Sequence, residues 1–211
     1  MLIIVVDYGV GNLRSISKSL EKTSSDSNLN CSIKVSSTIT DIKKADKLVL
    51  PGQGSFKTCK KGIENIKGLE DELNESVLLK KKPIYGICVG MQLFASTGFE
   101  EEKTAGLNWI PGEVVKLKLN SSDLKIPHMG WNELKIQNKN KIFDGVDSKS
   151  HAYFIHSYEF VPNDKNTICI TTNYGKDIIA AVSSQNIHGS QFHPEKSQDT
   201  GLKILNNFLK I

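Results

Sequence analysis

Arginine is nearly absent from this sequence, although lysine is common. Of the 27 basic residues only Arg14 is an arginine, and the lysines are dispersed along the chain. Arginine binds phosphates and guanine edges through paired hydrogen bonds, so its scarcity argues against a nucleic-acid partner despite the net charge of +4. A dinucleotide-binding loop is also excluded, because Arg14 stands where residues 9–14 would need a third glycine.

Long apolar runs and closely spaced cysteine pairs are missing too. The apolar run Leu2–Val6 lacks the basic flank and cleavage site of a secretory signal, and no later run reaches membrane-spanning length. The sequence has four cysteines, at Cys31, Cys59, Cys88 and Cys169. Their wide spacing indicates neither a disulfide framework nor a zinc site. We therefore expect a cytoplasmic protein with reduced thiols, no membrane contact, no metal and no other cofactor.

Short apolar runs alternate with helical patterns in the first half of the chain. Helices are predicted at residues 12–22, 69–80 and 198–210, the last capped by Asp199 or Thr200. Strands are predicted at residues 2–6, 47–50, 83–87, 113–119, 152–160, 167–172, 178–182 and 187–192.

The alternation of these elements predicts the fold class. Parallel strands need crossover helices, so we expect an α/β fold with an open, mostly parallel central sheet flanked by helices. The strand-rich second half predicts antiparallel strands added to the same sheet. No linker or repeat divides the 211 residues, and we expect one domain spanning 1–211.

The sharpest local pattern surrounds Cys88, because residues 86–90 are Gly-Ile-Cys-Val-Gly between a strand-like and a helix-like run. Small residues beside a nucleophile at a strand-to-helix turn are typical of the nucleophile elbow, which exposes the nucleophile at the strand's carboxyl end. A helix N-terminus would also favour the thiolate. The alternative is an inert buried cysteine, which is our interpretation of the other three. We predict that Cys88 is a nucleophile.

A base is predicted at His193, within the segment Gln-Phe-His-Pro-Glu at residues 191–195. Residues two apart in an extended chain point to the same side, so Glu195 can reach a ring nitrogen of His193 and fix its tautomer. A histidine satisfied by the core or by solvent is the alternative, which we retain for His128, His151 and His188. No histidine pair has the spacing of a zinc-binding helix, so a zinc hydrolase is not indicated.

Acyl transfer to a thiol also needs hydrogen-bond donors for a developing oxyanion. One candidate is the backbone N–H of Val89, directly after Cys88. Another is the turn at residues 51–55, where Gly52, Gln53 and Gly54 follow a predicted strand and let the backbone approach a ligand closely. An ordinary turn is the alternative for this segment.

These segments together resemble the class I (triad) glutamine amidotransferases. Within that family the sequence looks like the glutaminase subunits of imidazole glycerol phosphate synthase. The additional matching segments are Asp-Tyr-Gly-Val-Gly-Asn-Leu at 7–13, Pro-His-Met-Gly-Trp-Asn at 127–132, Tyr-Phe-Ile-His-Ser-Tyr at 153–158 and His-Pro-Glu-Lys-Ser-Gln at 193–198. The resemblance covers essentially the whole chain. Val89 is a departure, since many relatives carry leucine there.

The resemblance implies a flavodoxin-like fold and a glutaminase reaction. Cys88 would attack the side-chain amide of L-glutamine, His193 would protonate the departing ammonia and later activate water, and Glu195 would orient His193. Substrate contacts would come from Gln92, Glu100 and the backbone of Gly52, Ser157 and Tyr158. The ammonia would pass to a partner cyclase subunit, in a heterodimer that makes imidazole glycerol phosphate for histidine biosynthesis. Two residues, Trp131 and Asn132, would face this partner.

Three alternatives to this function remain open at the level of sequence. The chain could serve as the glutaminase subunit of a different synthase, such as one that aminates a sugar. It could be a thiol peptidase with the same Cys-His-carboxylate logic, or a binding subunit without catalytic activity. An intact set of Cys88, His193 and Glu195 argues against the last of these.

Overall fold

The computed structural model describes residues 1–119, 124–147 and 150–211. In its first half strands and helices alternate, in the order β1 (Leu2–Val6), α1 (Leu13–Asp26), β2 (Ser32–Ser36), α2 (Ile39–Lys44), β3 (Lys47–Leu50), α3 (Phe56–Glu64), α4 (Leu69–Asn74), β4 (Ile84–Ile87) and α5 (Val89–Gln92). The second half consists of β5 (Thr97–Gly98), β6 (Thr104–Ala105), β7 (Gly112–Lys116), β8 (His128–Glu133), β9 (Lys135–Ile136), β10 (His151–His156), β11 (Tyr158–Pro162), β12 (Ile168–Asn173), β13 (Asp177–Ser184), β14 (Ile187–Ser190) and α6 (Gln198–Lys210).

An eight-stranded sheet with the order β2-β1-β3-β4-β14-β13-β12-β9 forms the centre of the fold. The first five of these strands are parallel neighbours, and the remaining pairs are antiparallel. The predicted mostly parallel sheet with antiparallel additions is confirmed. One part of the prediction is wrong, because not all antiparallel strands join this sheet. β11, β7, β5 and β6 form a second sheet, and β8 pairs with β10 in a separate ribbon.

The parallel strands β1, β3 and β4 are largely apolar because helices cover the sheet on both faces. Every residue of β3, β4 and β14 is buried. Among the helices, α1 packs against α6, whereas α2 and α3 contact α4. Burial of two opposite strand faces explains why β1, β3 and β4 appear in the sequence as continuous apolar runs.

The final helix spans the predicted residues 198–210, but its predicted cap is wrong. The N-cap is Ser197. At the other end, the Lys47 ammonium donates to the carbonyl oxygens of Phe208 at 2.7 Å and Leu209 at 3.0 Å, and also to that of Ile211. These carbonyls have no partners within the helix, so a buried lysine of β3 satisfies them. Burial lowers the pKa of Lys47 to about 8.

Several element boundaries differ from the sequence predictions. β2, α2, α3 and the ribbon strand β8 were not expected, and the predicted helix at 69–80 is α4 followed by a π-helical turn at Glu75–Leu79. The predicted strand at 152–160 is broken at Ser157, where the chain leaves its pairing with β8 and joins β7 instead. This change of sheet places the backbone of Ser157 and Tyr158 in the candidate active site.

Candidate active site

Cys88 occupies a sharp turn between β4 and α5. Its backbone has φ +56° and ψ −114°, a conformation that residues other than glycine rarely adopt. Gly90 is required beside it, because a Cβ there would lie 1.9 Å from the carbonyl oxygen of Leu50 at the end of β3. The turn thus has the backbone strain and the small neighbours of a nucleophile elbow.

His193 and Glu195 form a buried pair next to this turn. The His193 Nδ1 atom lies 2.8 Å from Glu195 Oε1, and the Glu195 side chain is completely inaccessible to solvent. Their expected extended connection is wrong, since a 3-10 turn, Pro194–Lys196, begins directly after His193. Pro194 is suited to the first position of this turn because its φ is already fixed there.

The electrostatics of the pair favour a protonated His193. Burial lowers the pKa of His193, but hydrogen bonds and charge interactions with Cys88 and Glu195 outweigh this effect and raise the pKa to about 10. His193 therefore carries its proton at neutral pH. The expected helix-dipole contribution is small, because α5 has only four residues.

A cavity of about 310 Å³ lies in front of the Cys88 sulfur. Of the predicted site residues, eight line this cavity: Gln53, Cys88, Val89, Gln92, Glu100, Ser157, Tyr158 and His193. Gly54 of the predicted turn at 51–55 lines the cavity as well, together with four residues that were not selected as site residues: Pro127, Ile155, His156 and Lys196. Glu195 lies behind His193, and Gly52 packs against the elbow, where a Cβ would be 2.2 Å from the Gly90 nitrogen.

The loop that follows β3 is held by buried side chains rather than by its own turn alone. The Tyr8 hydroxyl donates to the Pro51 carbonyl oxygen, and the Cys59 thiol donates to that of Gln53 at 3.5 Å. Glu100 accepts from the Phe56 N–H at 2.7 Å, at the start of α3. The backbone of this loop therefore has a defined position against the cavity.

The sequence analysis did not select one polar side chain that reaches the Cys88 sulfur. Gln191 is fully buried, and its Nε2 atom lies 3.6 Å from the Cys88 Sγ. A pattern could have found it, since Gln191 precedes His193 by two positions and side chains two apart share one side of an extended chain. The carbonyl oxygen of Ile155 is a further polar neighbour of the sulfur, at 4.0 Å.

The outer face of the β8–β10 ribbon is apolar and exposed. Its cross-strand pairs are Met129 with Ile155 and Trp131 with Tyr153. We call these four residues the ribbon face. Trp131 is 48% exposed and Met129 63% exposed, so Trp131 does not close the core. Asn132 alternates to the inner side, where its amide donates to the Asn173 carbonyl oxygen at 2.8 Å.

The inner side of the ribbon carries two buried histidines in one hydrogen-bonded chain. His128 Nδ1 lies 3.0 Å from His156 Nε2, and His156 Nδ1 lies 2.8 Å from the Tyr158 carbonyl oxygen. A third histidine, His188, bonds Ser183 in the core at 2.7 Å. Of the two interpretations kept for His128 and His188, a core histidine or a surface histidine, the structure supports the first. His151 is about half exposed.

These three buried histidines predict acid sensitivity of the fold. Burial lowers the pKa of His128 and His188 to about 4 and that of His156 to about 3, from an ordinary value of 6.5. The unfolded chain takes up protons near pH 6.5 that the folded chain refuses. The contribution of these histidines to the free energy of unfolding should therefore be complete above that pH. It should decrease toward pH 4, by up to about 1.4 kcal/mol per pH unit for each histidine.

Urea unfolding at pH 7 and pH 5 measures this dependence. In His188→Gln, whose side chain lies outside the active-site cavity, the slope between the two pH values should drop by about one such contribution. An unchanged slope would show that His188 binds as many protons in the folded protein as in the unfolded chain over this pH range.

Metal-ligand clusters and membrane-spanning helices are both absent from the described part of the chain. No group of three or more His, Cys, Asp or Glu side chains within 1–119, 124–147 and 150–211 is arranged to hold a metal ion. Over the same residues, no helix is long and apolar enough to cross a membrane.

Comparison with known proteins gives consistent matches over the whole length. The profile described as "Glutamine amidotransferase class-I" matches residues 4–211. A Pelagibacter ubique protein named "Imidazole glycerol phosphate synthase subunit HisH" is 48% identical over 211 residues, which is 100% of both chains. A Brucella suis protein of the same name is 41% identical, covering 100% of this chain and 99% of its own.

Solved structures match the fold at lower sequence identity. A structure described as a glutamine amidotransferase has a TM-score of 0.73 at 18% identity and covers 99% of both chains. A glutamine amidotransferase from Thermotoga maritima has a TM-score of 0.60 at 17% identity, covering 92% of this chain and 76% of its own.

Proposed function

Since the chain belongs to the class-I glutamine amidotransferase family, we propose that it is the glutaminase subunit of an imidazole glycerol phosphate synthase. It hydrolyses the side-chain amide of L-glutamine and passes the ammonia to a cyclase subunit, in histidine biosynthesis. One observation carries the chemistry: the Cys88 thiol sits on a strained elbow beside an imidazole that a buried carboxylate holds at 2.8 Å. The identity of the full-length relatives supports the choice of synthase.

The first half of the reaction forms a thioester. The Cys88 thiolate attacks the amide carbon, and negative charge develops on the amide oxygen. Val89 is the first residue of α5, so its N–H has no partner within the helix and can stabilise this charge, together with an N–H of the Gly52–Gln53 loop. When the carbon–nitrogen bond breaks, the His193 imidazolium gives its proton to the departing ammonia.

The second half of the reaction releases glutamate. Neutral His193 now takes a proton from a water molecule, which attacks the thioester carbonyl carbon. The carbon–sulfur bond breaks, and the thiolate–imidazolium pair is restored. Throughout, Glu195 accepts the Nδ1–H of His193, so the Nε2 atom remains directed toward the reacting groups.

Glutamine is held by groups around the cavity. Both N–H donors of Gln92 are already used, by the Tyr158 carbonyl oxygen at 3.0 Å and by Gln191 at 2.8 Å. Gln92 therefore offers its carbonyl oxygen to the substrate. Glu100 supplies a carboxylate for the substrate's α-ammonium group, and the backbone of Ser157 and Tyr158 provides further polar contacts at the break between β10 and β11.

Further observations support the domain organisation, the compartment and the assembly that we propose. All four cysteines are free, which supports a reducing cytoplasm. Strands from both halves of the chain lie side by side in one sheet, with β4 paired to β14, which supports a single domain over 1–211. The ribbon face of Met129, Trp131, Tyr153 and Ile155 adjoins the cavity through Ile155 and is the surface we assign to the cyclase.

Glutamate release from glutamine tests this function. The purified chain is assayed alone and with the cyclase subunit and its ribulosyl substrate, and product formation by the complex is compared with glutamine or with ammonium salt as nitrogen source. We expect one glutamate for each imidazole product. Product from ammonium salt but none from glutamine, in a complex that forms normally, would refute the assignment.

Truncation of Trp131 should weaken the complex. Tryptophan is among the residues that dominate interfaces, and at 48% exposure its loss leaves no cavity in the core. Trp131→Ala should raise the dissociation constant for the cyclase about thirtyfold, while ammonium-dependent synthesis continues. Titration calorimetry measures this effect, and Leu79→Ala, an exposed leucine of the π-helical turn, is the matched control. Unfolding of Trp131→Ala without a specific loss of affinity would show that the docking surface is misplaced.

A further inference from the structure

The side-chain amide of Gln191 contacts the sulfur of Cys88, the proposed nucleophile. This side chain is fully buried just beyond the end of β14, and its backbone N–H donates to the Ala180 carbonyl oxygen at 2.8 Å. The Nε2 atom is 3.6 Å from the Cys88 Sγ, within the hydrogen-bond range for sulfur. Neither the formation nor the hydrolysis of the thioester, as proposed, uses this contact. A buried amide requires hydrogen-bond partners at both of its ends. The partner at one end therefore determines whether the other end presents an oxygen acceptor or an N–H donor.

A chain of contacts fixes which end of the Gln191 amide faces the sulfur. The Tyr158 carbonyl oxygen can only accept, so the Gln92 atom 3.0 Å away must be the NH₂ nitrogen. The same nitrogen lies 2.8 Å from the terminal atom of Gln191, which must therefore be the carbonyl oxygen. The other end of Gln191, directed at Cys88, is consequently an N–H donor. Reversing it would oppose two NH₂ groups and point an oxygen at the thiolate.

We propose that Gln191 is a further catalytic residue, which donates an N–H to the Cys88 thiolate and holds its charge and position for attack. The proposal rests on the proposed function, because it takes Cys88 as the nucleophile. Hydrogen bonds to charged groups are stronger than neutral ones. Unlike His193, Gln191 does not titrate, so it supports the thiolate both when sulfur attacks and when sulfur departs from the thioester.

Alkylation of Cys88 by iodoacetamide tests this contact without any turnover. Two variants are compared with the wild type on a Cys31→Ser background, since Cys31 is the one cysteine that is not buried. Gln191→Met removes the donor, and Gln191→Glu keeps the shape and the acceptor for Gln92 but replaces the donor with an oxygen. The control is Gln137→Met, because Gln137 bonds Thr171 outside the cavity.

The expected result is a shift in the pH profile of Cys88 alkylation, followed by peptide mass spectrometry. In Gln191→Met the midpoint of the profile should rise by about one pH unit, so that alkylation is about tenfold slower at pH values below the wild-type midpoint and has an unchanged rate at high pH. Gln191→Glu should shift further, and kcat for glutamate release should fall about tenfold with little change in KM. The Gln137→Met profile should match the wild type.

A superimposable profile for Gln191→Glu and the wild type would overturn the proposal. If neither variant folds, NMR of the wild-type protein provides the test, through the ¹⁵N–¹H resonance of the Gln191 side-chain amide. That resonance must move when Cys88 is titrated, and a resonance that stays fixed overturns the proposal. Failure of the proposed function is distinguishable, because the wild-type complex would then release no glutamate from glutamine, whatever the outcome at Gln191.

Discussion

Replacement of Cys88 by serine should lower glutamate release by at least about a thousandfold. The turn accepts serine, because the hydroxyl occupies the place of the thiol and the flanking glycines are unchanged. A serine hydroxyl, however, ionises far less readily than a thiol. His193, whose raised pKa suits it to hold a proton taken from sulfur, is a poor base for the hydroxyl.

The matched control for this variant is Cys169→Ser, at a buried cysteine in β12 that lies outside the cavity. Both proteins are checked for folding by circular dichroism and by their thermal midpoints, and glutamate is measured in the presence of the cyclase. We expect near wild-type turnover from Cys169→Ser. Glutamate production by folded Cys88→Ser at the wild-type level would remove Cys88 from the reaction.

Replacement of Glu195 by glutamine should lower kcat about a hundredfold, which is less than the loss in Cys88→Ser. The amide oxygen can still accept from His193 Nδ1, so the base keeps part of its orientation. What is lost is the negative charge that helps to raise the pKa of His193. The alkaline limb of the pH–rate profile should therefore move to lower pH, because the imidazolium now gives up its proton more easily.

Steady-state glutamate release between pH 6 and pH 10 measures both effects. Glu113→Gln, at an exposed position in β7, is the matched control and should leave kcat and the alkaline limb in place. Two results would count against the assigned role. If folded Glu195→Gln were as inactive as Cys88→Ser, Glu195 would have to do more than orient His193 and stabilise its charge. If the alkaline limb did not move, the charge of Glu195 would have no effect on the pKa of His193.

Much of the spatial arrangement of Cys88, His193 and Glu195 could be predicted because it depends on local patterns. The spacing of small residues around Cys88 reflects the steric limits of one turn, and His193 and Glu195 are two positions apart. Even so, the extended conformation predicted to bring His193 and Glu195 together was wrong. A 3-10 turn rather than an extended chain brings the carboxylate to the ring. Because the two residues are only two positions apart, their side chains meet although the local conformation differs from the predicted one.

Contacts that depend on tertiary structure were not predictable in the same way. The end of α6 is satisfied by Lys47, 161 positions from Phe208, and no local cap could indicate it. The break at Ser157 arises because β10 and β11 pair with different partners, whereas the sequence from 152 to 160 is continuously strand-like. The contact of Gln191 with Cys88 likewise spans 103 positions. Such features follow from the assembled sheet.

The central claim is that Cys88 forms a thioester with the γ-carbonyl carbon of glutamine, and its most direct test is to trap that intermediate. Wild-type complex turning over glutamine is quenched in acid within milliseconds, digested, and mapped by mass spectrometry. We predict a glutamyl adduct on the peptide that contains Cys88, sensitive to hydroxylamine and absent in Cys88→Ser. An adduct on a different residue, or glutamate released at full rate without any adduct under conditions that slow thioester hydrolysis, would contradict the account.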